Sequence, residues 1–442
     1  MSRTSVGISP GRRVAFRLLS EVDRGRRLDR AFETEAPRMP PRERAWVHEL
    51  TYGATRLRGR LDHLLNLHLD RGVASLDPPV LTLLRMGAYQ LLRMGSVPSY
   101  AAVSQTVSQV REEAGRGAAG MANAVLRALS REGGGEERFP AFEDDPLGNL
   151  ASWGSHPEWL LERWLHRFGP AETRKLVEVN NQIPSLHLRP LGVTLPEARE
   201  RLEAAGIGSR EDLPGSGTLE LEEGTDPVAA LGVLPALIQD PAAGLVVGWV
   251  GPVAGREVAD LCAAPGGKGL GLAAEGGRVV GMDLSPSRLR LMAETVDRVH
   301  LTVGLVVARG EAPPIRPRDV VLVDAPCSGT GTLARHPDAR WRLRPETLRT
   351  LTGVQDRILD GAVEVVRPGG LLVYSTCTLE PEENGDRVEA FLGRHPGFIL
   401  EEGENAPPQV RRDAFLEVLP QRTGTDGAFA ARLRRREQDE PR

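Results

Sequence analysis

From about residue 236 the sequence alternates short β-rich runs with helical segments, and this pattern limits the fold more than any other feature. The runs are EVADLC, RVVGMD, LTVGLVV, DVVLVD and GLLVYS, with helical segments at 266–275, 286–298 and 347–367. Alternating β and α elements of this length predict a parallel, doubly wound sheet. In such sheets ligands bind just beyond the carboxyl ends of the strands, so we expect the functional residues at that edge.

The preceding chain divides into two further regions. From Pro10 to Arg131, apolar residues recur at helical spacing between breakers such as PRMPP and GRGAAG, which predicts an all-helical domain of five to seven helices. A glycine-rich linker follows, and region 145–235 mixes helices with the short strands SLHLRP and TLELEE around a helix at 196–205. The predicted domains are a helical domain at 1–135, a linker with a small α+β region at 136–235, and an α/β Rossmann-like domain at 236–442.

Several classes of protein are excluded by composition. No apolar run approaches the ~18 residues of a membrane span, and the N-terminal residues lack the pattern of a secretory signal. Three cysteines in 442 residues do not make a disulfide framework, and no CxxC pair indicates zinc. We therefore expect a soluble, cytoplasmic protein without a bound metal.

Charge is unevenly distributed along the chain. The whole chain carries 56 basic and 60 acidic residues, a net charge of −4, but residues 1–135 contain 21 Arg, no Lys and 13 acidic residues, a net charge of +8. A basic region joined to an acidic remainder is typical of a chain in which one module faces nucleic acid. The alternative interpretation is an ordinary helical domain with solvated arginines.

The glycine loop after the first strand of the α/β region and the acidic residue that ends the second strand suit a nucleoside cofactor. The first strand ends at Asp260 and runs into CAAPGGK, a tight turn of small residues that lacks the GxGxxG fingerprint but whose N–H groups open a helix. Lys268 in this turn is one of only two lysines in the chain. The second strand ends at Asp283, where a carboxylate can bind ribose hydroxyls.

All three cysteines lie at strand carboxyl ends. Cys262 fits the role of a small buried hydrophobe. Cys327, in DAPCSGTG, and Cys377, in YSTC ahead of PEEN, occupy loops that face ligand in this topology. Two such thiols beside a cofactor cleft favour nucleophilic catalysis, with one thiol as nucleophile and the second as its partner.

These motifs resemble the signature set of a known family. DLCAAPGGK, DAPCSGTG with RHPDARW, and STCTLEPEEN are similar to motifs of the RNA cytosine-5 methyltransferases of the Sun (Fmu/RsmB) family, and the similarity spans roughly 236–434. Ile238-Gln239-Asp240 and the GTDGAF run at 424–429 are further landmarks of the family. The helical domain at 1–135, called the front domain below, resembles a NusB-type RNA-binding fold. The chain departs from the family pattern at Glu311, where Asp is usual, and at Ala428, where an aromatic residue is common.

The resemblance implies S-adenosylmethionine as cofactor and a covalent mechanism at C5 of cytosine. It assigns the nucleophile that adds to C6 to Cys377 and product release to Cys327; the residues alone do not order the two thiols. Asp324 suits the cytosine N3/N4 edge, and Lys268 either keeps Asp324 ionised or touches the substrate backbone. The residues expected to bind the cofactor are Cys262, Ala263, Ala264, Pro265, Gly266, Gly267, Lys268, Asp283, Arg288, Glu311 and Asp324.

The implied partner is RNA, with 16S ribosomal RNA favoured by the resemblance of the front domain, and the expected state is a monomer. The target base has to be unpaired or flipped to reach a thiol. Three alternatives stay open: the same chemistry on tRNA, a non-catalytic RNA-binding assembly factor, and a nicotinamide oxidoreductase. The two strand-end thiols argue against the second, and the missing GxGxxG argues against the third.

Overall fold

The computed structural model describes residues 7–403 and 405–437. Its α-helices are α1 (Pro10–Asp23), α2 (Leu28–Glu35), α3 (Pro41–Arg56), α4 (Arg58–Asn66), α5 (Pro78–Arg93), α6 (Ser99–Glu132), α7 (Pro146–Ser152), α8 (Glu158–Asn180), α9 (Leu195–Ala204), α10 (Pro227–Val233), α11 (Pro241–Val250), α12 (Gly267–Ala274), α13 (Pro286–Val299), α14 (Ala339–Arg342), α15 (Pro345–Val363), α16 (Gly385–Arg394) and α17 (Pro420–Thr423). Its strands are β1 (His187–Pro190), β2 (Ser209–Arg210), β3 (Leu219–Leu221), β4 (Ala236–Ile238), β5 (Glu257–Asp260), β6 (Arg278–Asp283), β7 (Gly304–Val307), β8 (Arg318–Asp324), β9 (Val366–Thr376), β10 (Phe398–Glu401), β11 (Arg411–Arg412), β12 (Phe415–Val418) and β13 (Ala428–Arg435).

The described residues form two compact units that are discontinuous in sequence. The first unit comprises the chain up to Gln182 together with Leu333–Leu343, and the second comprises Ile183–Thr332 and the chain from Arg344 onward. The helices α7 and α8, which lie in the mixed region of the sequence, thus belong to the first unit.

The first unit is built from helices, as the apolar spacing predicts. α1 to α6 cover the predicted helical region, and their inward faces form one apolar core that includes Leu50, Leu64, Leu83 and Leu126. The breaker GRGAAG interrupts α6 at Gly115, whose φ of +83° is a conformation that favours glycine. The predicted number of helices, five to seven, is confirmed.

Residues Leu333–Leu343 complete the first unit. Arg340 is fully buried there, and Trp341 donates from Nε1 to the carbonyl of Thr55 at 2.8 Å. The Arg340 guanidinium donates to oxygen atoms of four residues, Ser155, Asn180, Asn181 and Leu333, at 2.8–3.2 Å. Burial of a guanidinium is tolerated when its two terminal nitrogens are matched in this way, even though the Arg340 Nε has no partner among the described residues.

The second unit contains a small antiparallel sheet with strand order β2-β3-β1-β4. Its buried face includes Leu188, Leu219 and Ala236, and α9 packs on it through Leu202. The predicted strands SLHLRP and TLELEE correspond to β1 and β3, and the small α+β region is confirmed.

The main sheet of the second unit has nine strands in the order β11-β12-β13-β9-β8-β5-β6-β7, with β10 paired to β13. β9, β8, β5, β6 and β7 are parallel, and the Rossmann-like fold class is confirmed. The five predicted runs form this parallel part, and the sheet is extended by β10 to β13, which the sequence pattern did not predict and which pair antiparallel. Among the described residues between these four strands the only α-helix is the one-turn α17, so no crossover helix is available to make them parallel.

The strand order reverses at β5. From β5 the chain continues to β6 and β7 on one side, and then β8 and β9 lie on the other side of β5. A crevice outside the carboxyl ends of the strands is expected at such a reversal. The residues that follow β5 and β8 therefore face a ligand site.

None of the helices in the described part of the chain combines the length and the hydropathy that a membrane span requires.

Candidate active site

The carboxyl ends of the parallel strands bring the predicted site residues to one edge of the sheet. Asp260, Asp283 and Asp324 are the last residues of β5, β6 and β8. Asp324 pairs in register with Ser375 of β9. Strand pairing alone thus assembles three carboxylates and the residue two positions before Cys377.

The glycine loop is closely packed around its backbone. Gly266 has φ +116°, and a Cβ there would lie 3.0 Å from side-chain atoms of Leu270 and Met292. α12 begins immediately after it, at Gly267. Only glycine fits such a left-handed, crowded position at the start of a helix.

The predicted ribose-binding carboxylate is held rigidly. Asp283 is 5% exposed, and its Oδ1 accepts a hydrogen bond from the Ser285 N–H at 2.8 Å. Arg288 forms an ion pair with Asp283 at 3.2 Å and also donates to the Ala264 carbonyl, which ties the second strand end to the glycine loop. Asp283, Arg288 and the loop residue Ala264 are therefore brought together as predicted.

Two further acceptors at this edge were not among the predicted binding residues. Asp260 is 1% exposed, and burial, with the neighbouring charge of Asp324, raises its pKa to about 7. Gln239 lies against Gly267, and its buried Oε1 has no hydrogen-bond partner among the described residues. The position of Asp260 at a strand end, and of Gln239 in the IQD landmark, were the available sequence signals.

Lys268 forms an ion pair with Asp324, the last residue of β8. The Lys268 Nζ lies 2.7 Å from Asp324 Oδ2, and Ser375 donates from Oγ to Asp324 Oδ1 at 2.8 Å. Burial would lower the pKa of Lys268, but the attraction of Asp324 outweighs it and raises the pKa. Of the two roles considered for Lys268, the one that involves Asp324 is consistent with this ion pair.

The two loop cysteines lie side by side. Cys327 Sγ is 3.4 Å from Cys377 Sγ, and the Cys377 N–H donates to Cys327 Sγ at 3.4 Å. The hydrogen bond with Cys377 and burial raise the pKa of Cys327 well above its ordinary value, and the charge of Glu383 adds to this effect. The charge of Lys268, in contrast, interacts with Cys377. Cys327 therefore has a negatively charged neighbour, Glu383, and Cys377 has a positively charged neighbour, Lys268.

Cys262 has a different environment. Burial is the main cause that raises its pKa, followed by the charges of Asp260, Asp324, Asp283 and Glu311. A neutral thiol of this kind suits packing beside the cofactor loop rather than nucleophilic attack. The contribution of Glu311 shows that this carboxylate, which stands where Asp is usual, lies near the same edge.

The sequence landmarks outside the main motifs also meet. Asp240 Oδ1 accepts from the backbone N–H of Asp426 at 3.2 Å, which joins the IQD and GTDGAF segments. Ala428 opens β13 and is buried, and Phe429 beside it stacks edge-on against Tyr374 of β9. The aromatic ring that contacts Tyr374 is thus that of Phe429, and Ala428 contributes no ring here.

The residues present fit S-adenosylmethionine. Its ammonium and sulfonium charges suit a pocket edge with buried carboxylates, and its ribose hydroxyls suit Asp283. The orphaned Gln239 Oε1 is a further acceptor beside the glycine loop.

Comparisons with known proteins agree with this fold. The family model of the 16S rRNA methyltransferase RsmB/F matches residues 247–434, the NusB family model matches 9–131, and the Methyltr_RsmF/B-like ferredoxin-like domain matches 156–226. The ferredoxin-like match lies across the small sheet and the helix before it.

Full-length relatives extend the match to nearly the whole chain. Ribosomal RNA small subunit methyltransferase B of Thermus thermophilus is 37% identical, covering 96% of this chain and 97% of that protein. The same enzyme of Vibrio cholerae is 32% identical, covering 95% and 96%.

A solved structure, that of PH0851, has the same fold, with a TM-score of 0.77 and 23% identity over 97% of this chain and all of that chain. NSun6 from Pyrococcus horikoshii has a TM-score of 0.52 and 21% identity, covering 63% of this chain and 98% of that one. The chain belongs to the RsmB/F family of S-adenosylmethionine-dependent rRNA methyltransferases.

Proposed function

We propose that the protein methylates C5 of a cytosine in 16S ribosomal RNA through a covalent adduct between Cys377 and C6 of the base. The observation that carries this proposal is the pair of thiols 3.4 Å apart beside the Lys268–Asp324 ion pair. Methylation at nitrogen or at ribose oxygen has no use for two adjacent thiols, whereas methylation at C5 needs a nucleophile and a group for release.

Cys377 acts as the nucleophile in this mechanism. Its Sγ adds to C6, which breaks the aromaticity of the ring and makes C5 an enamine carbon. S-adenosylmethionine, when bound, supplies the electrophilic methyl group. The pKa of Cys327 is raised by its hydrogen bond with Cys377, by burial and by the neighbouring carboxylate of Glu383, which disfavours Cys327 as the nucleophile.

Asp324 orients the base. Its carboxylate suits the N3/N4 edge of cytosine as N3 gains a proton during the attack at C6. Lys268 and Ser375 fix both oxygens of Asp324, so the carboxylate is pre-organised before substrate binds.

Cys327 assists product release. After C5 carries its methyl group, the C5 proton has to leave and the Cys377–C6 bond has to break. Water takes the C5 proton, the electrons of the C5–H bond form the C5–C6 double bond, and Cys377 leaves as the thiolate. The neutral Cys327 thiol, 3.4 Å from Cys377 Sγ, is placed to donate a proton to the departing thiolate.

The cofactor site in this proposal consists of residues from the first two strand ends and the glycine loop. We add Asp260 and Gln239 to the predicted set, since both are buried acceptors beside the loop. The predicted members are Cys262, Ala263, Ala264, Pro265, Gly266, Gly267, Lys268, Asp283, Arg288, Glu311 and Asp324.

The arginine-rich residues 1–135 are proposed to supply the RNA-docking surface, within the three-domain division 1–135, 136–235 and 236–442. The exposed residues Arg24, Arg26 and Arg27 at the end of α1 are candidates for phosphate contacts. A monomer acting in the cytoplasm without a metal is the state expected for this function.

Bisulfite sequencing tests the proposal. In a deletion strain, one cytosine of 16S rRNA should lose its protection from conversion, the wild-type gene should restore it, and a Cys377→Ala gene should not. Loss of protection in a tRNA instead would move the proposed substrate to tRNA. Unchanged protection in all RNAs would contradict cytosine C5 methylation.

A further inference from the structure

The PEEN motif lies behind both cysteine loops, and the mechanism described so far uses only the charge of Glu383 from it. Glu383 and Asn384 are buried, with exposed fractions of 0% and 5%. The Tyr374 hydroxyl donates to the Glu383 carbonyl at 2.7 Å, which fixes the motif against β9. Side chains that are buried, polar and anchored in this way act on their neighbours rather than on solvent.

Glu383 holds the loop of Cys327. Its Oε1 accepts from the backbone N–H of Ser328 at 3.0 Å, and its Oε2 accepts from the Ser328 hydroxyl. Gln355 donates from Nε2 both to Glu383 Oε1 at 2.9 Å and to the carbonyl of Pro326 at 3.0 Å. The residues on either side of Cys327 are thus fixed by one carboxylate and one amide.

Asn384 holds the loop of Cys377. Its Oδ1 accepts from the Thr376 hydroxyl at 2.6 Å, and its Nδ2 donates to the Thr378 carbonyl at 3.0 Å. Thr376 and Thr378 flank Cys377. The side chain of Asn384 therefore fixes the residues on both sides of this cysteine.

Hydroxyl groups join the two loops directly. Ser328 Oγ lies 2.7 Å from Thr378 Oγ1, and Thr330 Oγ1 lies 3.0 Å from the same atom. The chain from Glu383 through Ser328 to Thr378 spans both loops. The distance between the two thiols is set by this buried network.

We propose that Glu383 and Asn384 are positioning residues with separate tasks, Glu383 holding Cys327 for product release and Asn384 holding Cys377 for attack on C6. The inference rests on the proposed function. It assigns different steps of the reaction to adjacent residues of one motif, so loss of each residue gives a different kinetic result.

Denaturing gels and steady-state kinetics with 16S rRNA from the deletion strain separate the two tasks. Glu383→Gln should lower kcat at least tenfold and increase the share of RNA trapped as a covalent adduct at least fivefold, because attack proceeds and release is slowed. Asn384→Ala should lower kcat at least tenfold with no adduct above the wild-type level. In both variants the S-adenosylmethionine Kd should stay within twofold of wild type.

Glu389→Gln is the matched control, since it makes the same change at an exposed position of α16, six residues from Glu383. It should behave as wild type. If Glu383→Gln does not fold, Ser328→Ala removes one hydrogen bond of the same carboxylate and should give the same adduct accumulation to a smaller degree. Wild-type kcat and adduct level in Glu383→Gln, or adduct accumulation in Asn384→Ala, would overturn the assignment.

A second measurement does not depend on the RNA. Diamide takes one hydrogen from each of the two thiols and is reduced to the hydrazine as one Sγ–Sγ bond forms, and peptide mapping quantifies that bond. The 3.4 Å separation predicts rapid closure in the wild type and closure at least fivefold slower in both variants. Failure of the wild type to methylate RNA would contradict the proposed function, whereas equal closure rates in wild type and variants would contradict only the positioning roles.

Discussion

The two units bury charged side chains in different ways. In the first unit Arg12 and Arg340 are 1% and 0% exposed, and the groups that accept their hydrogen bonds are neutral. Arg12 donates to side-chain oxygens of Gln90, Thr106 and Gln109. In the second unit Asp260, Lys268 and Asp324 lie together at an open sheet edge and carry both signs of charge.

The difference separates two uses of a buried charge. Arg12 and Arg340 each donate to several neutral oxygens, and removal of either side chain would leave those oxygens without donors inside the unit. In the second unit, burial and the charge of Asp324 raise the pKa of Asp260, and carboxylates at this edge are the groups a ligand needs. Burial of Arg12 and Arg340 among neutral acceptors stabilises the fold of the first unit, whereas the buried charges at the sheet edge of the second unit serve chemistry at a cost in stability.

The largest effect expected is on activity. Cys377→Ala should lower methylation by at least about 1000-fold, because the pKa of the other thiol, Cys327, is raised well above its ordinary value and makes it a poor nucleophile, while the melting temperature should change little. Cys327→Ala should instead trap an enzyme–RNA adduct visible on a denaturing gel. The adduct in Cys377→Ala and its absence in Cys327→Ala would reverse the two assignments.

The buried arginine of the first unit should show the opposite pattern. Arg340→Met should lower the free energy of unfolding by about 2–4 kcal/mol, because at least four oxygens lose their donor in a dry environment. Chemical denaturation measures this change. Arg342→Met, two residues away on the same segment and half-buried, should cost less; an equal cost would remove the distinction drawn for Arg340.

The second unit should gain stability when a site carboxylate is neutralised. The folded-state pKa of Asp260, about 7, lies above its unfolded value, so folding is penalised as pH rises from about 4 to about 7. Asp260→Asn should therefore become more stable relative to wild type by about 1.4 kcal/mol per pH unit at most across that window. Denaturation at pH 5, 6 and 7 measures the difference, and a difference that is independent of pH would contradict the idea.

Cofactor affinity should depend on the second strand end. Asp283→Ala removes charge-assisted hydrogen bonds worth roughly 1.5–3 kcal/mol, which is about ten- to a hundredfold in S-adenosylmethionine Kd. RNA affinity should stay near the wild-type value. An unchanged S-adenosylmethionine Kd in calorimetric titration would contradict the assignment of Asp283 to the cofactor site.

Replacement of three exposed arginines of the first unit should weaken RNA binding and change stability little. Replacing Arg24, Arg26 and Arg27 by Gln should weaken RNA binding about tenfold, and each lost phosphate contact should remove about 0.7–0.9 from the log–log salt slope. Filter binding across a salt series checks both. Since Arg26 and Arg27 also pair with Glu21 and Asp29 on the surface, their removal should alter stability by less than about 1 kcal/mol.

The parts of the site that follow directly from local sequence were predictable. Asp283, Asp324 and Cys377 come at the ends of β-rich runs, and a parallel sheet puts all such ends at one edge. The order of the two thiols needed the family resemblance, because both loops are equivalent in the pattern. Gln239 was named only as a landmark, since its place against Gly267 depends on how β4 is followed by α11 and not on any local repeat.

The parts that could not be predicted depend on contacts distant in sequence. RHPDARW was recognised as a motif, yet nothing in it indicates that Arg340 is buried among residues 155–181 of the first unit. The antiparallel pairing of β10 to β13 also depends on distant contacts, since β13 pairs with β9, β10 and β12. β11 has only two residues and carries no alternation of its own.

The discontinuous first unit has a consequence for synthesis on the ribosome. Its last segment, Leu333–Leu343, is made about 160 residues after Gln182, which at ~5–20 residues per second is a delay of roughly 8–30 s. During that time the oxygens that accept from Arg340 must be hydrated, and the contacts of Trp341 are missing. The amino-terminal helices therefore reach their final packing only after most of the second unit's sequence up to β8 has emerged, so the two units mature together instead of one after the other.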